Sequence, residues 1–412
     1  MNGTATVRSI MKRAPIVIAA AALIVTIAMG VRQAFGLFLP DMSTELNIGR
    51  SSFGLALALQ NLLFGLAQPV VGALGDRCGA GRVVVVGTIV YAAGLVGAAF
   101  AGGALGLHLS FGVMVGLALS GTTFVVVLGA VGRVVPAEKR GMAFGIVTAG
   151  GSLGQFLLVP VGQMFIAGLG WRMALIALAG IVAVMVVLAI GVAGRPRAGG
   201  AGGANMEPPQ SLGAAVREAS GNRGFWLLNA GFFVCGFHVA FVATHFPAYL
   251  ADKGLGLAIG ASALALIGLF NIFGSYLFGV AGDRWSRKML LAGLYAARGV
   301  GMILFLVLPL TPFTALAFAS MMGLLWLGTV PLTSGLVGQV FGIRYLSTLY
   351  GIVFLSHQVG SFFGAWSAGF MFDLAGSYDS VWIASVLLAF AAAALHLPIS
   401  ERPVERLRTA AA

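Results

Sequence analysis

Charged residues are scarce in this sequence: Asp, Glu, Lys and Arg make up 9% of its 412 residues, against about a quarter in water-soluble domains. With 59% hydrophobic residues and a mean hydropathy of +1.00, a soluble chain would expose apolar surface over most of its area, which excludes an ordinary soluble enzyme. The apolar residues run from end to end, which excludes a single-span receptor. Cysteine is rarer still. Cys78 in a polar loop and Cys235 inside an apolar run cannot make a disulfide framework and read as reduced thiols. The twelve acidic residues all fall between apolar runs or at their ends, so no run carries a carboxylate. The sequence also lacks a Gly-x-x-x-x-Gly-Lys-Ser/Thr phosphate loop and a His-Glu-x-x-His pair. Direct use of ATP and metal-based catalysis are therefore not expected, nor is any cofactor. A polytopic membrane protein that is not an enzyme remains.

A helix crossing ~30 Å of hydrocarbon needs roughly 20 residues. That ruler predicts twelve spans, at 16–39, 51–74, 83–102, 106–133, 141–167, 171–193, 225–250, 259–281, 289–309, 312–335, 347–371 and 380–398. Polar punctuation such as Pro40-Asp41, Gly75-Asp76-Arg77 and Gly282-Asp283-Arg284 separates them. The one long polar interval, rich in Gly, Ala and Pro, reads as a flexible linker with a short amphipathic helix near Ser211–Ala219. The expected organisation is a six-helix half over 1–193, a linker over 194–223 and a second six-helix half over 224–412.

Twenty-four Lys and Arg outweigh the acids to give +12, and their placement explains the surplus. With the N-terminus cytoplasmic, nineteen basic residues fall in inside segments and three (Arg50, Arg172, Lys253) in outside ones. This is the positive-inside bias, and it places both termini and the linker in the cytoplasm of a cell (inner) membrane. The basic charge is therefore topology, and no nucleic-acid partner is expected.

The halves repeat one another. Gly72-Ala73-Leu74-Gly75-Asp76-Arg77 after span 2 matches Gly279-Val280-Ala281-Gly282-Asp283-Arg284 after span 8, 207 residues on. Gly145-Ile146-Val147 in span 5 matches Gly351-Ile352-Val353 in span 11, 206 residues on. Such a parallel repeat puts a substrate between the halves near the midplane, with the halves rocking to expose it to one side at a time. Twelve spans, a central linker and Gly-x-x-x-Asp-Arg after spans 2 and 8 resemble the major facilitator superfamily over essentially the whole chain. Asp76, Arg77, Asp283 and Arg284 are the expected gating charges, pairing in one state of the cycle and parting in the other; a charge cluster that only sets topology is the alternative.

Ionisable groups at membrane depth cost on the order of 2.5–3.5 kcal/mol each for Arg and mark functional positions by default. Arg32 lies about 12 Å from the outer end of span 1 at 1.5 Å per residue, with no acidic partner in its span. A guanidinium so placed facing a wet cavity suits a carboxylate through paired hydrogen bonds; snorkelling outward or bonding backbone carbonyls is the alternative. Arg298, halfway along span 9, reads as a structural arginine. His238 and His357, in spans 7 and 11, have imidazoles that titrate near neutrality and are candidates both for carrying a proton and for binding the substrate by donating to an anion; a neutral hydrogen-bonded histidine is the alternative for each. Gln60, Asn61, Thr123, Gln155, Asn271, Trp326 and Gln358 complete the candidate substrate-binding set, with interhelical hydrogen bonding as their structural alternative.

Within the superfamily, Val31-Arg32-Gln33-Ala34-Phe35-Gly36-Leu37-Phe38-Leu39-Pro40-Asp41 is similar to span 1 of the monocarboxylate porter branch. That resemblance implies that Arg32 binds the substrate or couples its charge. Animal members place an Asp and an Arg four apart in span 8, where this chain has Asn271 and Ser275. The favoured expectation is a secondary transporter for a small organic anion, a monocarboxylate moved with a proton by alternating access, working as a monomer in the lipid bilayer. The alternative is a proton-driven efflux antiporter for drugs or hydrophobic metabolites, a class that usually relies on an intramembrane carboxylate.

Overall fold

The computed structural model describes residues 2–134, 140–193, 210–342 and 345–407. Throughout them the chain is helical, with no β-strand, as expected where no water is present to satisfy backbone groups. The first half comprises α1 (Asn2–Gln33), a 3-10 turn (Phe35–Phe38), α2 (Leu39–Glu45), α3 (Arg50–Cys78), α4 (Ala80–Ala99), α5 (Ala104–Leu107), a π-helical stretch (His108–Met114), α6 (Val115–Thr122), α7 (Phe124–Val134) and α8 (Arg140–Leu188). A short α9 (Leu212–Ser220) precedes the second half. This comprises α10 (Arg223–Asp252), α11 (Gly256–Arg284), α12 (Arg287–Val307), α13 (Pro312–Trp326), α14 (Thr329–Phe341), α15 (Leu346–Ala375) and α16 (Asp379–His396).

Nine stretches of the described residues are each long and apolar enough to cross a membrane. One of them, Gly145–Leu188, is 44 residues long and holds two crossings, parted at Gly170, whose φ of 76° ends one helix before the next begins. With α3 and α15 the crossings number twelve, in two six-helix halves. The linker residues 194–209 and the interval 135–139 lie outside the described residues. The amphipathic helix expected near Ser211 is present as α9: the Ser211 hydroxyl accepts from Ala214 N, and Ala215 and Ala219 are buried against the second half. Glu218 of α9 pairs with Arg406 near the C-terminus at 3.4 Å.

Three crossings are not the single straight helices that the hydropathy predicts. Span 1 leaves α geometry after Gln33 and tightens into the 3-10 turn, so Arg32 occupies the last turn of α1. A cation there meets the negative end of the helix dipole. Span 4 breaks at Thr123, which is extended (φ −119°, ψ −159°). Its counterpart in the repeat, span 10, breaks at Leu327-Gly328 between α13 and α14.

The two halves meet most tightly at the face opposite α9. There a Cβ on Gly369 of α15 would sit 2.7 Å from Ser51 N of α3, and one on Gly36 would sit 2.9 Å from Thr244 O of α10. Only glycine lets the backbones approach so closely. One buried apolar cluster runs unbroken from Phe38 and Phe53 of the first half to Phe241, Phe246 and Trp382 of the second. Toward the α9 face, Phe225, Phe232, Leu291 and Leu336 form a separate cluster within the second half alone. Gly145 and Gly351, near the α9-face ends of their helices, have open space beside them. The bundle is sealed at the far face.

Candidate functional site

Arg32 is partly exposed and stands between α1 and α3. Its Nη2 donates to Asn61 Oδ1, its guanidinium lies 5.9 Å from the centre of the Phe64 ring, and its buried Nε has no partner. Among the described residues no ion pair reaches it. The neighbouring Gln33 donates to Gln155 Oε1 at 3.3 Å, and Gln155 Nε2 donates across to Leu264 O of α11 at 2.8 Å. Gln155 thus ties the first half to the second beside the arginine. One turn beyond Asn61, Gly65 lies under Gln358 of α15, where an added Cβ would meet Gln358 Cγ at 2.8 Å. Gln358 is buried, and its Nε2 has no partner. The next residue back, His357, places Nδ1 3.3 Å from Gln358 Oε1 and stacks on Phe354 with centroids 5.5 Å apart.

The helix interface therefore brings together Arg32, Asn61, Gln155, Gln358 and His357. It adds Gln33 and Phe64, which the sequence did not single out. Gln33 adjoins Arg32, but the break at residue 34 turns it onto Gln155. Asn271 also lies at the interface: its Nδ2 donates to Ser152 Oγ at 3.2 Å and its Oδ1 accepts from Leu327 N at 3.0 Å. That second bond satisfies an N–H freed by the break in span 10. Replacing Asn271 with Leu orphans this N–H, at a cost of about 1–3 kcal/mol. The midpoint of thermal unfolding should fall accordingly, and an unchanged midpoint would show that the break is held without it.

The remaining residues sit elsewhere. Gln60 donates to Phe111 O in the π-helical stretch at 2.9 Å, and Thr123 bonds Leu119 O within its own helix at 2.7 Å. His238 is fully buried and donates through Nε2 to Ser385 O of α16 at 2.9 Å, and its buried Nδ1 has no partner. Trp326 is buried, and its carbonyl accepts from Arg298 at 2.7 Å. The side chains of Asp76 and Arg77 lie outside the described residues. Asp283, 79% exposed, pairs at 3.4 Å with Arg287 of its own half, and Arg287 also donates to Gln339 at 2.5 Å. Arg284 is exposed.

The far face carries a latch that sequence reading missed. Arg50, at the start of α3, makes paired hydrogen bonds to Asp252 at the end of α10 (2.6 and 2.7 Å). It also lies 3.8 Å over the Phe372 ring and donates to the Tyr378 hydroxyl at 3.0 Å. Tyr378 in turn donates to His245 Nδ1 at 3.1 Å, and His245 Nε2 donates to Ala365 O at 2.7 Å. Asp373, at the end of α15, accepts from the first backbone N–H groups of α3, Arg50 N at 2.9 Å and Ser51 N at 2.8 Å. Among the described residues Arg50–Asp252 is the ion pair that joins the halves. The partners stand 202 residues apart, and only the fold brings them together.

Comparison with known proteins fits this geometry. A Bacillus subtilis protein described as the uncharacterized MFS-type transporter YcxA is 25% identical over 374 residues, covering 87% of this chain and 88% of its own. Human monocarboxylate transporter 11 is 27% identical over 387 residues, covering 90% and 79%. Among solved structures, a bacterial homolog of the human lysosomal transporter Spinster, described as inward-facing and unoccupied, superposes with a TM-score of 0.76 at 16% identity. It covers 97% of this chain and 98% of its own. The profile described as Major Facilitator Superfamily matches residues 21–364. With its repeated six-helix halves and an interface lined by one cation and several amides, the chain belongs to the major facilitator superfamily of membrane transporters.

Proposed function

We propose that this transporter carries a small organic anion, a monocarboxylate, together with a proton, by alternating access as a monomer. The observation that carries the reading is Arg32: a guanidinium at the interface of the halves, held by one amide, with a buried Nε unpaired and no carboxylate on it. A carboxylate offers two acceptors to such a group in the geometry that Arg prefers. Asn61, Gln33 and Gln155 would orient it, and Phe64 gives a short apolar tail a surface. The monocarboxylate transporters among the relatives support the same class. With the basic side cytoplasmic, the α9 face would look toward the cytoplasm of a cell (inner) membrane and the sealed far face toward the outside. Asp76, Arg77, Asp283 and Arg284 would then close the cytoplasmic side when the Arg50 latch opens.

Uptake by proteoliposomes tests this. Short-chain monocarboxylates should accumulate saturably when the outside is made acidic, and a protonophore should abolish the accumulation. Accumulation indifferent to the gradient would remove the proton from the reading. Expulsion of lipophilic compounds with no anion uptake would transfer the chain to the efflux class.

A further inference from the structure

The second half encloses a polar cluster that the anion site does not use. Arg298 is fully buried. Its Nη2 donates to Leu325 O and Trp326 O (2.5 and 2.7 Å) and its Nε to Leu325 O (3.2 Å). These are carbonyls beside the break in span 10, and they account for the arginine's structural role. Its remaining nitrogen, Nη1, points at Cys235 Sγ of α10, 3.4 Å away. A buried cation calls for an opposite charge, and no span of this chain contains a carboxylate. Among the described residues two weakly acidic groups meet this guanidinium: the Cys235 thiol at Nη1 and Tyr295, whose ring centre lies 5.3 Å from it.

The thiol's other neighbours complete a site. From α14, the Thr329 hydroxyl lies 3.3 Å from Sγ. From α15, His357 packs on α10 beside the thiol, its ring centre 4.9 Å from that of Phe232 and its carbonyl against Gly236. From α12, the Tyr295 hydroxyl lies against it, buried and without a partner. The Tyr350 hydroxyl of α15 is likewise unpartnered. His238 on α10 and His396 on α16, the latter stacked on Tyr295 at 5.1 Å, are the remaining titratable groups around it. The buried Tyr295 hydroxyl, with no acceptor, suits a thiolate, which would give it one.

We propose that Cys235, held against Arg298 and reached through His357, is the proton-carrying group of this transporter, in the place where a carboxylate would otherwise stand. The proton moves from His357 to the Cys235 sulfur and back; no other bond forms or breaks. The link to cargo is a short run of contacts: Arg32 on Asn61, Gly65 one turn on, Gln358 above it, then His357 and Cys235. A carboxylate that draws Arg32 from Asn61 shifts α3 against Gln358, and hence against the histidine that serves the thiol.

The inference rests on the proton-coupled reading above, and the test separates the two. Reconstituted Cys235→Ser should exchange labelled for unlabelled substrate at equal pH on both sides at close to the wild-type rate. It should lose at least about tenfold of the accumulation driven by a pH gradient. Cys235→Asp, which keeps an ionisable group beside Arg298, should recover that accumulation, whereas a purely structural cysteine would not be rescued by a carboxylate. If Cys235→Ser does not fold, Cys235→Ala should show the same split. Gradient-driven accumulation by Cys235→Ser at the wild-type level, or joint loss of exchange and accumulation in a folded variant, would overturn the assignment. A wild-type protein that ignores the gradient would instead overturn proton coupling itself.

Discussion

Arg32→Gln should reduce anion uptake by about 30-fold to a few thousand-fold, which corresponds to the 2–5 kcal/mol lost when one partner of a buried, hydrogen-bonded charge pair is truncated. Glutamine keeps a hydrogen bond to Asn61 within reach, so the contact between α1 and α3 survives and the protein should remain monodisperse with a near-wild-type unfolding midpoint. Only the charge that draws the substrate is removed. Arg32→Lys is the informative companion. It keeps the charge but replaces the fork with a compact ammonium that cannot make the paired bonds, so its uptake should fall between the other two. If transport by Arg32→Gln equalled wild type, the anion would bind elsewhere and the argument from the unpaired Nε would fail. Thermal shift of the purified proteins with short carboxylates gives an independent reading. Ligand-dependent stabilisation should be clear in wild type and absent in Arg32→Gln.

How much of this was legible in the sequence differs by kind of feature. The twelve crossings, the repeat and the linker helix follow from hydropathy, from motif offsets and from Ser211 as an N-cap, all local or periodic signals. Arg32 was legible because it is a charge in an apolar run. Its placement at a helix end was not, because the glycines beside the break at Ala34, Gly30 and Gly36, are no different from the many glycines inside unbroken helices. The break in span 10 is held by side chains from other helices. Asn271 bonds Leu327 N and Arg298 bonds the Leu325 and Trp326 carbonyls, so the local sequence alone does not announce it. Polar residues inside spans were all candidates, and hydropathy could not say which face each occupied. Gln60 and His238 are turned into their own halves, and Gln155 into the other. Cys235 looked inert because its significance comes wholly from Arg298, 63 residues away. The Arg50 latch was beyond reach for the same reason: loop charges reveal sidedness, and their pairing appears only when α3, α10 and α15 are assembled.

Arg50→Ala should shift the molecule toward the state in which the far face is open, by about 5–150-fold in the ratio of the two states, the span of a 1–3 kcal/mol coupling. The pair is worth more than an ordinary surface ion pair, because its side chains are only 14% and 35% exposed, its bonds are paired and an aromatic face covers the guanidinium. All of these contacts cross between the halves, so they stabilise the sealed state and contribute nothing once the halves part. Thr244, 3% exposed and against Gly36 at the seam, reports the opening. In a Cys78→Ser, Thr244→Cys background a membrane-impermeant maleimide added from the far side reacts only with molecules whose seal has opened. Its rate should rise with the open fraction when Arg50 is removed. Asp252→Asn should give a smaller rise, because Phe372 and Tyr378 still hold the arginine. Exchanging the two charges, Arg50→Asp with Asp252→Arg, should recover part of the seal but not all, since the swapped guanidinium no longer lies over Phe372. An unchanged labelling rate in Arg50→Ala would mean that Asp373 on the start of α3 and the apolar seam hold the far face alone. The latch would then be a consequence of closure rather than a cause of it.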